Sequence, residues 1–139
     1  MSKLNILVPL DGTEKSMHSL DWLKKFYSKE DTEVTLINVI EVIYYGEAES
    51  IDVLSKLKIT ESVSNRTLDV AASRLEGYKV NKLSVRGFIP DRILTEAKDG
   101  KYDIIIMTKS SVKGLSRVIG SVTNKIIHNS EAAVVVLPE

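Results

Sequence analysis

Cysteine is missing from all 139 residues. No disulfide framework and no thiolate metal site can therefore form. The two histidines, His18 and His128, fall short of a zinc ligand set. Net charge is missing too, with 19 Lys and Arg against 19 Asp and Glu. Such a chain has no overall pull toward nucleic acid or an anionic membrane, and little repulsion to oppose self-association. Long apolar runs are absent; none approaches the ~20 residues that span a bilayer. The opening "MSKLNILVPLDG" has one lysine, a short apolar run and an early aspartate, which is not the pattern of a secretory signal. The expectation is a single cytoplasmic domain over 1–139, with no repeat, low-complexity tract or linker. A hydrophobic content of 43% suits one self-sufficient core.

What is present is a regular alternation. Five short runs rich in Val, Ile and Leu stand at 4–10, 33–40, 80–85, 103–108 and 132–138. Four of them are almost continuously apolar, as strands buried on both faces are. The third, "VNKLSV", alternates and reads as an edge strand with one wetter face. Helical spacing fills the intervals: Thr13 to Lys29, Ile51 to Leu75 with Gly77 as a C-cap, Asp91 to Asp99, and Ser116 to Ser130. Strict β-α alternation implies a doubly wound α/β fold, a parallel five-stranded sheet with helices on both faces. Glu41 to Ser50 reads as a loop.

Ligands of such sheets bind beyond the carboxyl ends of the strands, where strand order reverses. The segments to inspect follow the runs: Asp11-Gly12-Thr13, Val39 to Glu41, Gly87 to Pro90, and Thr108 to Gly114. Asp11 could accept from a ribose or base, or join a hydrated metal; equally, it could cap the next helix. Gly120-Ser121-Val122-Thr123 could offer backbone N–H groups and two hydroxyls to a phosphate at a helix N-terminus. From Ile104 to Ser130 there are four bases, Lys109, Lys113, Arg117 and Lys125, and no acid. That excess would favour a polyphosphate, or it could simply be a solvated helix face. His18 and His128 read as exposed helix residues, and Trp22 and Phe26 as packing groups. Tyr44 and Tyr45 could cover a ring or pack as a lid. No G-x-G-x-x-G, Walker A loop or Gly-x-Ser-x-Gly elbow is present. A receiver domain is disfavoured, since "PLDGT" supplies one acid and "VRGFI" none. No general base is positioned against a water or acceptor, so these residues argue for no chemistry.

In order along the chain, "NILVPLDGTEKSMHSLDWL", "VTLINVIEV", "VRGFIPDRILTEAKDGKYDIIIMTKS" and "GLSRVIGSVTNKIIHNSEAAVVVLP" resemble the universal stress protein family. The resemblance implies a HUP-like sandwich with strand order 3-2-1-4-5, and a homodimer formed through the last strand. It also implies an adenine-nucleotide site, with ATP and accompanying Mg2+ as the ligand. The contacts it assigns are Pro9, Asp11 (ribose), Val39 (adenine), Met107, Thr108, Ser111, Gly120, Ser121, Val122 and Thr123. The family loop is Gly-x2-Gly-x9-Gly-Ser/Thr. Here its first two glycines fall on Thr108 and Ser111, and the spacer to Gly120 is one residue short. If either position needs left-handed backbone, the loss is on the order of 1–2 kcal/mol each. Weak or altered nucleotide binding is one expectation. A dimeric partner-binding module with a vestigial site is the second, and a slow ATP-hydrolysing or autophosphorylating enzyme the third.

Overall fold

Each apolar run becomes a strand and each periodic interval a helix. The computed structural model describes residues 3–41, 60–109 and 119–138 in full, and 51–59 as helix backbone only. The elements are β1 (Leu4–Pro9), α1 (Glu14–Phe26), β2 (Thr32–Glu41), α2 (Ile51–Ser73), β3 (Lys79–Gly87), α3 (Ile89–Asp99), β4 (Ile104–Thr108), α4 (Ser121–Asn129) and β5 (Ala133–Leu137). All ladders are parallel, and the sheet order is β3-β2-β1-β4-β5, as the resemblance implies.

The boundaries differ from the sequence pattern in four places. α1 stops at Phe26, because Tyr27 is already extended (φ −124, ψ 130). α3 starts two residues early, with Pro90 in its first turn, where a missing N–H costs no helical bond. α4 starts at Ser121, because Gly120 is extended (φ −63, ψ 160). Gly77 does not cap α2, which ends at Ser73; it turns the chain toward β3 with φ 89.

Strand alternation splits the core between two faces. Ile6, Val8, Val34, Leu36 and Ile106 pack under α1 and α2, against Leu20, Leu23, Leu68 and Leu75. Leu7, Ile37, Ile105 and Met107 pack under α3 and α4, against Ile93, Ala97 and Ile126. The wetter face of β3 is the one toward α2. There Lys82 pairs with Asp69 at 2.7 Å, Ser84 bonds Ser64 at 2.7 Å, and Arg86 pairs with Glu61. His18 and His128 are exposed on α1 and α4. Trp22 packs against the core, whereas Phe26 is largely exposed and leans on its ring, with centroids 4.7 Å apart.

The sheet is not equally tight at every seam. β1 pairs with β2 from Leu4 to Pro9, but with β4 only through Ile6 and Leu7. Beyond Leu7 and Ile105 the two strands part. This is the switch point, since the chain crosses from β1 to β2 on one side and from β3 back to β4 on the other.

Candidate functional site

A cavity of about 310 Å³ opens where β1 and β4 part, a size suited to a small molecule. Its two ends differ chemically. Ile37 and Val39 of β2 with Ile89 and Ile93 of α3 form an apolar end, and Met107 of β4, next to Thr108 in the chain, adds further apolar lining. Thr108, Lys109 and the start of α4 from Gly120 to Thr123 form a polar one. Pro9, Leu10 and Asp11 run between them.

The central strip is pinned by its own bonds. Leu10 N–H donates to the Ile37 carbonyl at 2.9 Å, and Asn38 Nδ2 to the Leu10 carbonyl at 2.7 Å. Gly12 then takes a left-handed turn (φ 88), which glycine adopts without strain. Asp11 does not cap α1 itself. Thr13 does so, accepting from the Ser16 N–H at 3.2 Å. Asp11 Oδ1 holds that cap in place, accepting from the Thr13 N–H at 2.9 Å and from its hydroxyl at 2.6 Å. The carboxylate is thereby fixed at the exposed rim of the cavity.

The polar end is pinned as well. Gly120 N–H donates to the Lys109 carbonyl at 2.9 Å, and Thr123 Oγ1 to the Thr108 carbonyl at 3.1 Å. Sequence reasoning offers both groups to a phosphate; the fold uses them to hold the start of α4 against the end of β4. What remains is the backbone of the first turn. The first helical bond is Asn124 N–H to the Gly120 carbonyl at 2.9 Å. The N–H groups of Ser121, Val122 and Thr123 find no acceptor among the described residues, and no side chain caps the helix. Three donors without an acceptor among the described residues, at the positive end of the helix dipole, suit an anion. The local basic excess is smaller than the sequence suggests. Lys125 pairs with Asp91 of α3 at 3.0 Å and lies 5.0 Å over the Phe88 ring, clamping α3 to α4. Lys109 lines the cavity, with no carboxylate partner among the described residues.

The universal stress protein family model matches residues 4–138. The chain belongs to that family. It is 28% identical to the universal stress protein MJ0577 of Methanocaldococcus jannaschii over 153 residues, covering 95% of this chain and 93% of the relative. The solved structure of MJ0577 superposes with a TM-score of 0.77 at 29% identity, covering 99% and 96% of the two chains. A universal stress protein family protein from Arabidopsis thaliana, solved with AMP bound, has a TM-score of 0.72 at 16% identity, covering 96% and 90%. A universal stress protein solved in complex with cAMP has a TM-score of 0.65 at 15% identity, covering 99% and 98%. The last two likenesses concern the fold alone.

In this universal stress protein domain, Pro9, Asp11, Val39, Met107, Thr108, Gly120, Ser121, Val122 and Thr123 all line this cavity. Ser111 lies outside the described residues, as do Tyr44, Tyr45, Lys113 and Arg117. Thr108 ends a regular strand and carries no positive φ, so the backbone strain considered for it does not arise. Sequence reasoning misses the apolar end, namely Ile37, Ile89 and Ile93, and the tether Asn38. Ile89 stands in the segment after β3 that the switch-point rule selects for inspection, and that was its only signal. Among the described residues no three His, Cys, Asp or Glu cluster as metal ligands, and no helix is long and apolar enough to cross a membrane.

Proposed function

We propose that the chain is a stress-response sensor or adaptor that binds an adenine nucleotide weakly in this cleft. One observation carries the reading: the cavity is lined both by apolar side chains and by a helix start whose first three N–H groups have no acceptor among the described residues. A purine fits the first and a phosphate the second, with Asp11 between them to accept from the ribose. The AMP and cAMP bound to two fold relatives support the same ligand class. Asp11 is the only carboxylate among the described lining residues, so any Mg2+ would arrive on the phosphates of a triphosphate. Equilibrium dialysis against AMP, cAMP, ATP and GMP tests this. The expected result is one adenine nucleotide per chain at sub-millimolar to millimolar concentration, with GMP weaker. No uptake of any adenine nucleotide at several millimolar would remove the proposal.

The edge strand favours a dimer as the working unit. β5 pairs with β4 on one side and, among the described residues, with nothing on the other, and Val134, Val135 and Val136 are only half-buried. An unpaired apolar edge is a template for a second strand. Light scattering after gel filtration should give about twice the 15.5 kDa chain mass; a monomer mass at micromolar concentration would defeat the dimer.

A further inference from the structure

We propose that Asn38 is a positioning residue of the cleft: its side-chain amide takes the Leu10 carbonyl and so leaves the Val39 backbone open to the ligand. This rests on the nucleotide reading, in which the resemblance gives Val39 to the adenine. The β1–β2 ladder is regular up to the pair Pro9 and Ile37 and ends there. The Leu10 N–H still donates to the Ile37 carbonyl at 2.9 Å. In a parallel ladder the next bond would run from the Val39 N–H to the Leu10 carbonyl. That bond is not made. Asn38 Nδ2 donates to the Leu10 carbonyl instead, at 2.7 Å.

Alternation along β2 explains how one residue does this. Asn38 shares a face of the strand with Val34 and Leu36, under α1 and α2. Its amide meets the Leu10 carbonyl on that face and draws it out of the ladder. Val39 follows Ile37 instead. Alternate residues aim their backbone groups at the same neighbouring strand, and Ile37 aims at β1. β1 ends at Pro9, and Val39 lines the cavity. The Val39 N–H and carbonyl thus stand at the apolar end as a donor beside an acceptor, with no β1 partner. That pair matches a base edge with a ring-nitrogen acceptor beside an amino donor, and opposes one with N–H beside C=O. By keeping the Val39 N–H out of the ladder, Asn38 decides which purine fits.

Asn38→Leu keeps the side-chain size and removes the amide; Asn38→Ala removes the amide with no added bulk and serves if the first variant fails to fold. Hydrogen exchange of the ligand-free 15N-labelled proteins reads the Val39 N–H. Titration calorimetry with AMP, inosine monophosphate and inorganic tripolyphosphate reads the cleft. In the variants the freed Leu10 carbonyl should close the ladder and slow Val39 exchange roughly tenfold. The parent should prefer AMP to inosine monophosphate roughly tenfold, and the variants should lose that preference. Tripolyphosphate should bind within about twofold of the parent value, since the polar end is untouched. If Val39 exchange is unchanged, or the preference for AMP survives in the variants, the Asn38 role is overturned and the nucleotide reading stands. If the parent binds neither nucleotide, the nucleotide reading falls and exchange alone decides: slower Val39 exchange in the variants upholds the Asn38 role, and unchanged exchange overturns it.

Discussion

Ser121→Pro should fold as stably as the parent and bind AMP about a hundredfold more weakly, the loss expected from removing two donors to a charged group. Proline at the first helical position removes an N–H that the helix does not use. The residue before a proline must be extended, and Gly120 already is, at φ −63 and ψ 160. The substitution therefore deletes a free N–H and a hydroxyl from the polar end of the cavity without disturbing the fold. Ser121→Ala, which loses the hydroxyl alone, should fall between the two. Melting curves and calorimetry on the same samples check both halves. An unchanged melting temperature with unchanged AMP affinity would mean that the start of α4 holds no phosphate.

Leu7→Ala should destabilise the protein by about 3 kcal/mol, lowering the melting temperature by about ten degrees. Leu7 is fully buried at the middle of the central strand. It lies in the core cluster that also holds Ile37, Ile93, Ile105, Met107 and Ile126. Backbones on both sides, at Thr35 and Ile105, hold the site open, so little collapse can fill the void. Ile37, Ile93 and Met107 also wall the cavity, so the same change should loosen its apolar end. Val70→Ala, at a position 42% exposed on α2, should cost less than about 0.5 kcal/mol. Urea unfolding of both variants checks the contrast; a cost below about 1 kcal/mol at Leu7 would contradict this account of the core.

The strands and their order are legible because buried runs carry their own signature. "VNKLSV" shows the edge as well, since Lys82 and Ser84 alternate with Val and Leu, and both meet polar partners on α2. The start of α4 is less legible. Apolar spacing through Val118 and Ile119 continues the helical pattern backwards, while Gly120 marks the true boundary. Polar roles decided at long range could not be read at all. The Lys109 carbonyl takes the Gly120 N–H, the Thr108 carbonyl takes the Thr123 hydroxyl, and Asp91 neutralises Lys125. Each converts an expected phosphate contact into a structural tie. Thr108 runs the other way: a departure from the glycine pattern of the family sits without strain at the end of a regular strand.

The central claim is that one ligand spans the two ends of this cleft, and its most direct test is an amide-resonance NMR titration of the 15N-labelled protein with AMP. At saturation the account predicts large shifts for the Ser121, Val122 and Thr123 N–H groups, together with Val39 at the apolar end, while Val70 and the exposed face of α2 stay still. Saturable binding that leaves those four resonances unmoved would contradict it.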